Sequence, residues 1–272
     1  MSGYRFNNDI SETLLIPLYM RAKESARKND AIIHDPVARN LVSRIEYDYS
    51  KFDTAKMSEI GCAIRCRFFD DLVRDFASKH TDTVVVNIGC GLDARRQRTE
   101  EDALDTIFYS LDLPDTISLR RSLIPEAPGE SYIPSSMFDT GWMKEIRARH
   151  PRSRILLIAE GVIMYFDEAT LRQFFSDLCT HIGNAEIWFD TMGTLGIKNQ
   201  NRHDALKNME ATFKWGINDG AILESWNPHL RLIEQVSPGR YFRSRQTMFM
   251  RILSTFPRLF FRFYSYVGYR IS

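Results

Sequence analysis

The chain predicts an α/β fold: one doubly wound, mostly parallel sheet of seven strands behind an N-terminal helical cap. Three observations carry that prediction. From Thr83 onward, short apolar runs alternate with helical segments. The runs are continuously apolar rather than alternating, as strands covered on both faces must be. The first of them leads into a Gly-x-Gly turn and another helix, the arrangement that opens a ligand crevice at a strand end.

Taken in order, the first third is helical. Leu14, Leu15, Leu18 and Met20 open one helix, and residues 38–45, after Asp35-Pro36, suggest a second. A third spans about residues 56–79, where Met57, Ile60, Ile64, Phe68, Leu72 and Phe76 recur at three- and four-residue spacing as a core-facing stripe. Strands follow in TVVVNI, TIFYSL, YIPSS, RILLIAE and AEIWFD, with helices in DTISLRRSLI, FDTGWMKEIRA and DEATLRQFFSDLCTHI between them. Beyond Asp190 come a helical excursion over about residues 203–226, a strand in LRLIEQV, a helix, and a last strand in FYSYVGYRI. Residues 1–80 are expected to form the cap and 81–272 the core, one structural domain overall, with a lid insertion at about 191–226.

Composition narrows the function classes. Thirty-six Lys plus Arg face 35 Asp plus Glu, a formal charge of +1, so no bulk attraction draws the chain to nucleic acid or a membrane. Cys62, Cys66, Cys90 and Cys179 form no CxxC pair and have no His at zinc-site spacing, which predicts reduced thiols and no metal. MSGYRFNNDISETLL lacks a basic region followed by an apolar core. Arg251, Pro257, Arg258 and Arg262 interrupt the apolar stretch near the carboxyl end, where a membrane span needs about 20 nearly uncharged residues. A cytoplasmic protein, monomer or homodimer, is expected.

The most informative stretch is VVVNIGCGLDARRQR. Gly89 and Gly91 flank Cys90 after a buried strand, and the amides of the next helix face whatever sits above them. Alone this motif is ambiguous, since Gly89, Gly91 and Ala94 also satisfy the dinucleotide pattern. Asp112 ends the next strand, 21 residues beyond Gly91, where a carboxylate can accept both ribose hydroxyls of an adenosine. Its bland alternative is a helix cap for DTISLRR, a task expected to fall to Asp115 instead. Asp139 follows the third strand and Glu160 ends the fourth. Three acids converging at strand ends suit a cationic sulfonium cofactor, whereas most of them would repel a pyrophosphate.

At this point a resemblance becomes specific. The segments ETLLIPLYMRAKES, HDPVA, AIRCRFFDD, VVNIGCGLDARRQR, YSLDLPDTISLRRSLIP, SSMFDTGW, LLIAEGVIMYF and KWGINDG span nearly the whole chain in consistent order. With them the chain resembles the leucine carboxyl methyltransferase family, in its bacterial branch of polyketide O-methyltransferases. The resemblance implies a sheet of the class I methyltransferase type and S-adenosylmethionine as methyl donor. It implies that Arg65 grips the methionine carboxylate, with Arg67 in reserve. Gly89 and Gly91 would line the methionine end and Asp112 would take the ribose, with Cys90 and Leu113 also among the cofactor-binding residues. Asp139 would lie near the adenine amine and Glu160 near the methionine ammonium. Arg21 or Lys23 also reaches the site on this reading. Ala94 departs from the pattern, which has a small hydroxyl residue there.

Methyl transfer from a sulfonium is an in-line displacement in a dry site. The resemblance implies a carboxylate acceptor, which is ionised at neutral pH and needs no base. A phenol, with pKa about 10, would want one. Tyr165, His203 and His229 are the candidates, and Tyr165 is the expected catalytic-site residue, walling the methyl. Phe213, Trp215 and Trp226 belong to the core or to the acceptor pocket, with core preferred. A nicotinamide oxidoreductase is the rival reading, since Tyr47 and Lys51 form a YxxxK pair, though one that precedes the glycine loop. A nucleotide-binding module without activity is the other.

Overall fold

The computed structural model describes residues 4–5, 14–200 and 212–272. Helices α1 (Leu15–Ser25), α2 (Pro36–Arg44) and α3 (Lys56–Lys79) precede the sheet. Then come β1 (Thr83–Ile88), α4 (Arg95–Thr99), β2 (Ile107–Asp112), α5 (Pro114–Leu123), β3 (Glu130–Pro134) and α6 (Thr140–Arg149). The second half runs β4 (Arg154–Ala159), α7 (Glu168–His181), β5 (Ala185–Met192), α8 (Thr194–Lys198) and β6 (Leu230–Val236). It closes with α9 (Met248–Leu253), α10 (Pro257–Phe261) and β7 (Tyr264–Ile271).

The seven strands lie in the order β3-β2-β1-β4-β5-β7-β6. The first five are parallel, and β7 runs antiparallel to both its neighbours. All seven were expected, as was the doubly wound, mostly parallel arrangement. Every residue of β1 is buried, because adjacent side chains serve opposite faces. Val84, Val86 and Ile88 pack with Trp142 and Ile146 of α6 and Leu171, Phe174 and Leu178 of α7. Val85 points the other way, to Phe69, Val73 and Phe76 of α3. Chain order reverses between β1 and β4, so a crevice opens at the carboxyl ends of those two strands.

Two expectations need correction. The stripe on α3 is broader than expected and starts later. Ile64 and Phe76 are buried and Phe68 and Leu72 pack against the core as expected, but Met57 is 56% exposed, and Ala63, Cys66, Phe69 and Val73 are buried as well. The first turns of α3 lie over the strand ends, and only its later turns meet the sheet, so one straight stripe cannot serve the whole helix. The helical excursion is the second. Residues 201–211, His203 among them, lie outside the described residues. From 212 to 219 the chain is irregular, and Gly220–Ser225 is a single 3-10 stretch. Lys214 and Trp215 donate backbone N–H bonds to Met164 O, and Ile217 N–H bonds Met192 O. Gly216 lies so close to that carbonyl that a Cβ would overlap it. The segment is a strap tied across two strand ends, and backbone bonded outward in this way is not free to coil.

Candidate active site

A cavity of about 600 Å³ sits over the switch between β1 and β4. Loops after the two strands form its floor. Gly89 has φ +63°, open to glycine with little strain, and a Cβ there would collide with Val162 from the β4 loop. Gly161, with φ +72°, lets the Arg65 guanidinium lie against the backbone. The floor is therefore bare backbone, approachable by a ligand.

A buried charge lattice surrounds this end. Arg65 Nε donates to Glu160 at 2.9 Å and its Nη1 to Asp190 at 3.0 Å. Asp190 also accepts from the Gly161 amide and the Tyr264 hydroxyl. The second Glu160 oxygen accepts from Arg95, which also pairs with Asp70 at 3.1 Å and Asp93 at 3.3 Å. Arg98 bridges Asp70, Asp35 and Asp93 at 2.7 to 2.9 Å. Burial works against the charge on Asp93, yet Arg98, Arg95 and Arg21 together hold its carboxyl far below the usual range. Arg21 bonds Asp35 at 3.0 Å and the Leu92 carbonyl at 2.9 Å. Four guanidiniums (Arg21, Arg65, Arg95, Arg98) thus meet five carboxylates (Asp35, Asp70, Asp93, Glu160, Asp190), a formal balance of −1.

Of the expected site residues, the cavity wall brings together Arg65, Gly89, Cys90, Gly91, Glu160 and Tyr165. Arg21 joins them. Lys23 does not, being paired with Glu59 at 3.0 Å. Arg67 is likewise spent on Asp71, on an outer face. Asp112 lies just behind the wall: its carboxylate accepts from the Gly91 and Leu113 amides, each at 2.8 Å. Burial raises its carboxyl above the ordinary value against the pull of those two bonds. Leu113 is exposed at the amino end of α5, which starts at Pro114; Asp115 therefore sits inside the first turn and does not cap it. Asp139 caps α6 through the Gly141 amide at 2.8 Å and is outside the cavity wall.

The other end of the cavity is apolar. Met164, Met192 and Phe213 pack together beside Tyr165, whose ring centroid is 5.4 Å from that of Phe213. Trp215 and Trp226 belong to the core, as expected, but Phe213 belongs to this wall. Met250, Leu253, Phe260 and Phe263, from the segment before β7, complete it. Tyr47 and Lys51 make a cation–π contact at 4.5 Å, away from the cavity wall. His229 lies at the start of β6, also away from it. All four cysteines are free, and no group of described residues could hold a metal.

Sequence reading missed Asp190, Asp93, Arg95 and Tyr264. Asp190 ends the apolar run AEIWFD, so the rule that found Glu160 would have found it. Asp93 and Arg95 stood inside the quoted glycine motif, unassigned. Tyr264 carried no local signal.

Residues 15–179 match the family described as Leucine carboxyl methyltransferase. The chain belongs to that family. It is 34% identical to the tetracenomycin polyketide synthesis O-methyltransferase TcmP of Streptomyces glaucescens, over 84% of this chain and 83% of that protein. It is 27% identical to the S-adenosyl-L-methionine-dependent methyltransferase dpfgK of Gibberella zeae, over 83% and 81%. The crystal structure of the plantazolicin methyltransferase BpumL with a triazolic desmethylPZN analog and SAH shares the fold. Its TM-score is 0.51 at 11% identity, covering 97% of this chain and 100% of that one. This methyltransferase is thus an S-adenosylmethionine-dependent enzyme, and the oxidoreductase and inactive-module readings are set aside. The site fits its cofactor in charge: sulfonium and ammonium against one carboxylate give +1, opposite to the lattice's −1.

Proposed function

We propose that the enzyme methylates a carboxylate of a small, largely apolar organic acid. The observation that carries this reading is that the described residues of the cavity wall offer no free base. Among the described residues no His lines the cavity, and the carboxylates that do are held by arginines. Burial raises the hydroxyl of Tyr165 above its usual value and pushes the Cys90 thiol up to about 12. An acceptor entering this site has to arrive ionised, as a carboxylate does at neutral pH.

The residues also divide the cofactor among themselves on this reading. Arg65 Nη2 carries no bond among the described residues and is the donor left for the methionine carboxylate. The spare lone pairs of Glu160 accept from the ammonium, and those of Asp112 from the ribose hydroxyls. Asp139 reaches the adenine amine from the cap of α6, after β3. Bound there, the cofactor supplies an electrophilic methyl group. The protein's part is to hold the acceptor oxygen in line, about 3 to 3.5 Å away, and to keep water out. Met164, Met192, Phe213 and Tyr165 do the latter.

Two measurements test the acceptor chemistry. The product from a panel of aromatic and polycyclic acids is expected to release methanol in mild alkali, as esters do and aryl ethers do not. Above about pH 6 the rate is expected to show no rise from acceptor ionisation. An alkali-stable product, with a rate climbing toward pH 10, would replace the carboxylate by a phenol.

A further inference from the structure

No acidic residue follows Glu234, while Arg240, Arg243, Arg245, Arg251, Arg258 and Arg262 crowd the segment before β7. Some of these are engaged: Arg245 pairs with Glu24, and Arg243 bonds Ser254. Arg251, Arg258 and Arg262 have no ion pair among the described residues, and the last two are exposed. Between them stand four large apolar side chains open to solvent: Met248 (68% exposed), Ile252 (58%), Phe256 (60%) and Leu259 (42%). Isolated exposed apolar residues are normal; four along two consecutive short helices, interleaved with unpaired cations, are not.

We propose that the outer face of α9 and α10 docks the enzyme on an anionic lipid surface. Apolar side chains enter the headgroup boundary while arginine stems let their charges stay among the anionic headgroups. A second copy fits this face poorly, because a two-fold contact would set each arginine against its like with no acid between them. The inner face of the same two helices, through Met250, Leu253 and Phe260, walls the apolar end of the cavity. One thin layer therefore separates lipid from the acceptor pocket, which suits an acceptor that partitions into membranes. The net charge of +1 hides this patch, since it averages a cationic segment against an acidic remainder.

The test is flotation of the full-length protein with vesicles of phosphatidylcholine alone or with one-third phosphatidylglycerol. Binding is expected only to the anionic vesicles and is expected to weaken several-fold in high salt. Arg251→Gln with Arg258→Gln is expected to cost about thirtyfold in partitioning. Ile252→Ser with Phe256→Ser is expected to cost about tenfold. SAH affinity, measured by calorimetry, stays unchanged in both variants, which shows that they are folded. No binding to anionic vesicles, or equal binding by the variants, overturns the proposal. So does a dimer that Ile252→Ser with Phe256→Ser abolishes, or saturable binding to an acidic carrier protein without binding to vesicles.

Discussion

The two ends of the cavity are built on opposite principles. At the charged end each charged side chain is held by two or more partners: Glu160 by Arg65 and Arg95, Arg98 by three aspartates. At the apolar end methionines and aromatics pack side by side. A lattice of buried charges has few alternative arrangements, because moving one member strands another in a low-dielectric interior. Methionine and aromatic walls repack at small cost.

The comparison predicts its own largest effect. Arg65→Ala leaves Glu160 and Asp190 each short of a cation while nearly buried, a loss of about 3 to 5 kcal/mol of folding stability. Urea unfolding measures it. The same variant is expected to lose affinity for the demethylated cofactor, which carries the methionine carboxylate, while adenosine binds both forms alike. Near-normal stability would show that the lattice is looser than its distances imply.

Next comes Asp112. Asp112→Asn is expected to weaken cofactor binding by about 1.5 to 3 kcal/mol, ten- to a hundredfold, through the ribose bonds. A pH effect accompanies it. The folded-state carboxyl is raised, so the folded protein takes up this proton at a higher pH than the unfolded chain does. As pH falls through that raised value, cofactor affinity drops, while folding stability gains from Asp112. Calorimetry between pH 4 and 7 is expected to show the drop in wild type and a flatter profile in Asp112→Asn. Unchanged affinity in the variant would sink the ribose role.

The same division explains what the sequence disclosed. The central strands announced themselves because a doubly covered strand must be apolar throughout, and TVVVNI or RILLIA cannot be much else. Gly89, Glu160 and Asp112 stood at strand ends, where chain order itself locates the crevice. The family resemblance, not spacing, singled out Arg65. The apolar wall was hidden for a physical reason. Met192, Phe213, Met250 and Phe260 lie far apart in the chain, and a residue lining a pocket has the composition of one filling a core. Nor did periodicity reveal the strap at 212–219, whose course follows from backbone bonds to Met164 and Met192.

Asp139 tests how far the charged end extends. Its carboxylate is already used as the α6 cap, so Asp139→Ala is expected to cost about 1 kcal/mol in stability. If it also reaches the adenine amine, affinity for adenosine falls several-fold and that for methionine does not. A stability loss with no change in adenosine affinity confines Asp139 to the cap.

The smallest expected effect is the most discriminating one for chemistry. The Tyr165 hydroxyl makes no hydrogen bond among the described residues, and its ring packs on Phe213. Tyr165→Phe keeps that ring and removes only the oxygen. Stability and affinity for the demethylated cofactor should change little, within about twofold, since no bond is lost. The turnover rate depends on the acceptor. A carboxylate brings its own negative charge, so deleting a neutral hydroxyl should slow transfer less than about threefold. A neutral phenol would need its proton removed, and with Tyr165 as the relay its deletion would cost about 10² to 10⁴. Burial holds this hydroxyl protonated well past neutrality, so its ionisation cannot lift the wild-type rate between pH 6 and 9. A hundredfold loss in Tyr165→Phe, together with a rate rising across that range, would move the acceptor from a carboxylic acid to a phenol and make Tyr165 a catalytic residue rather than a wall.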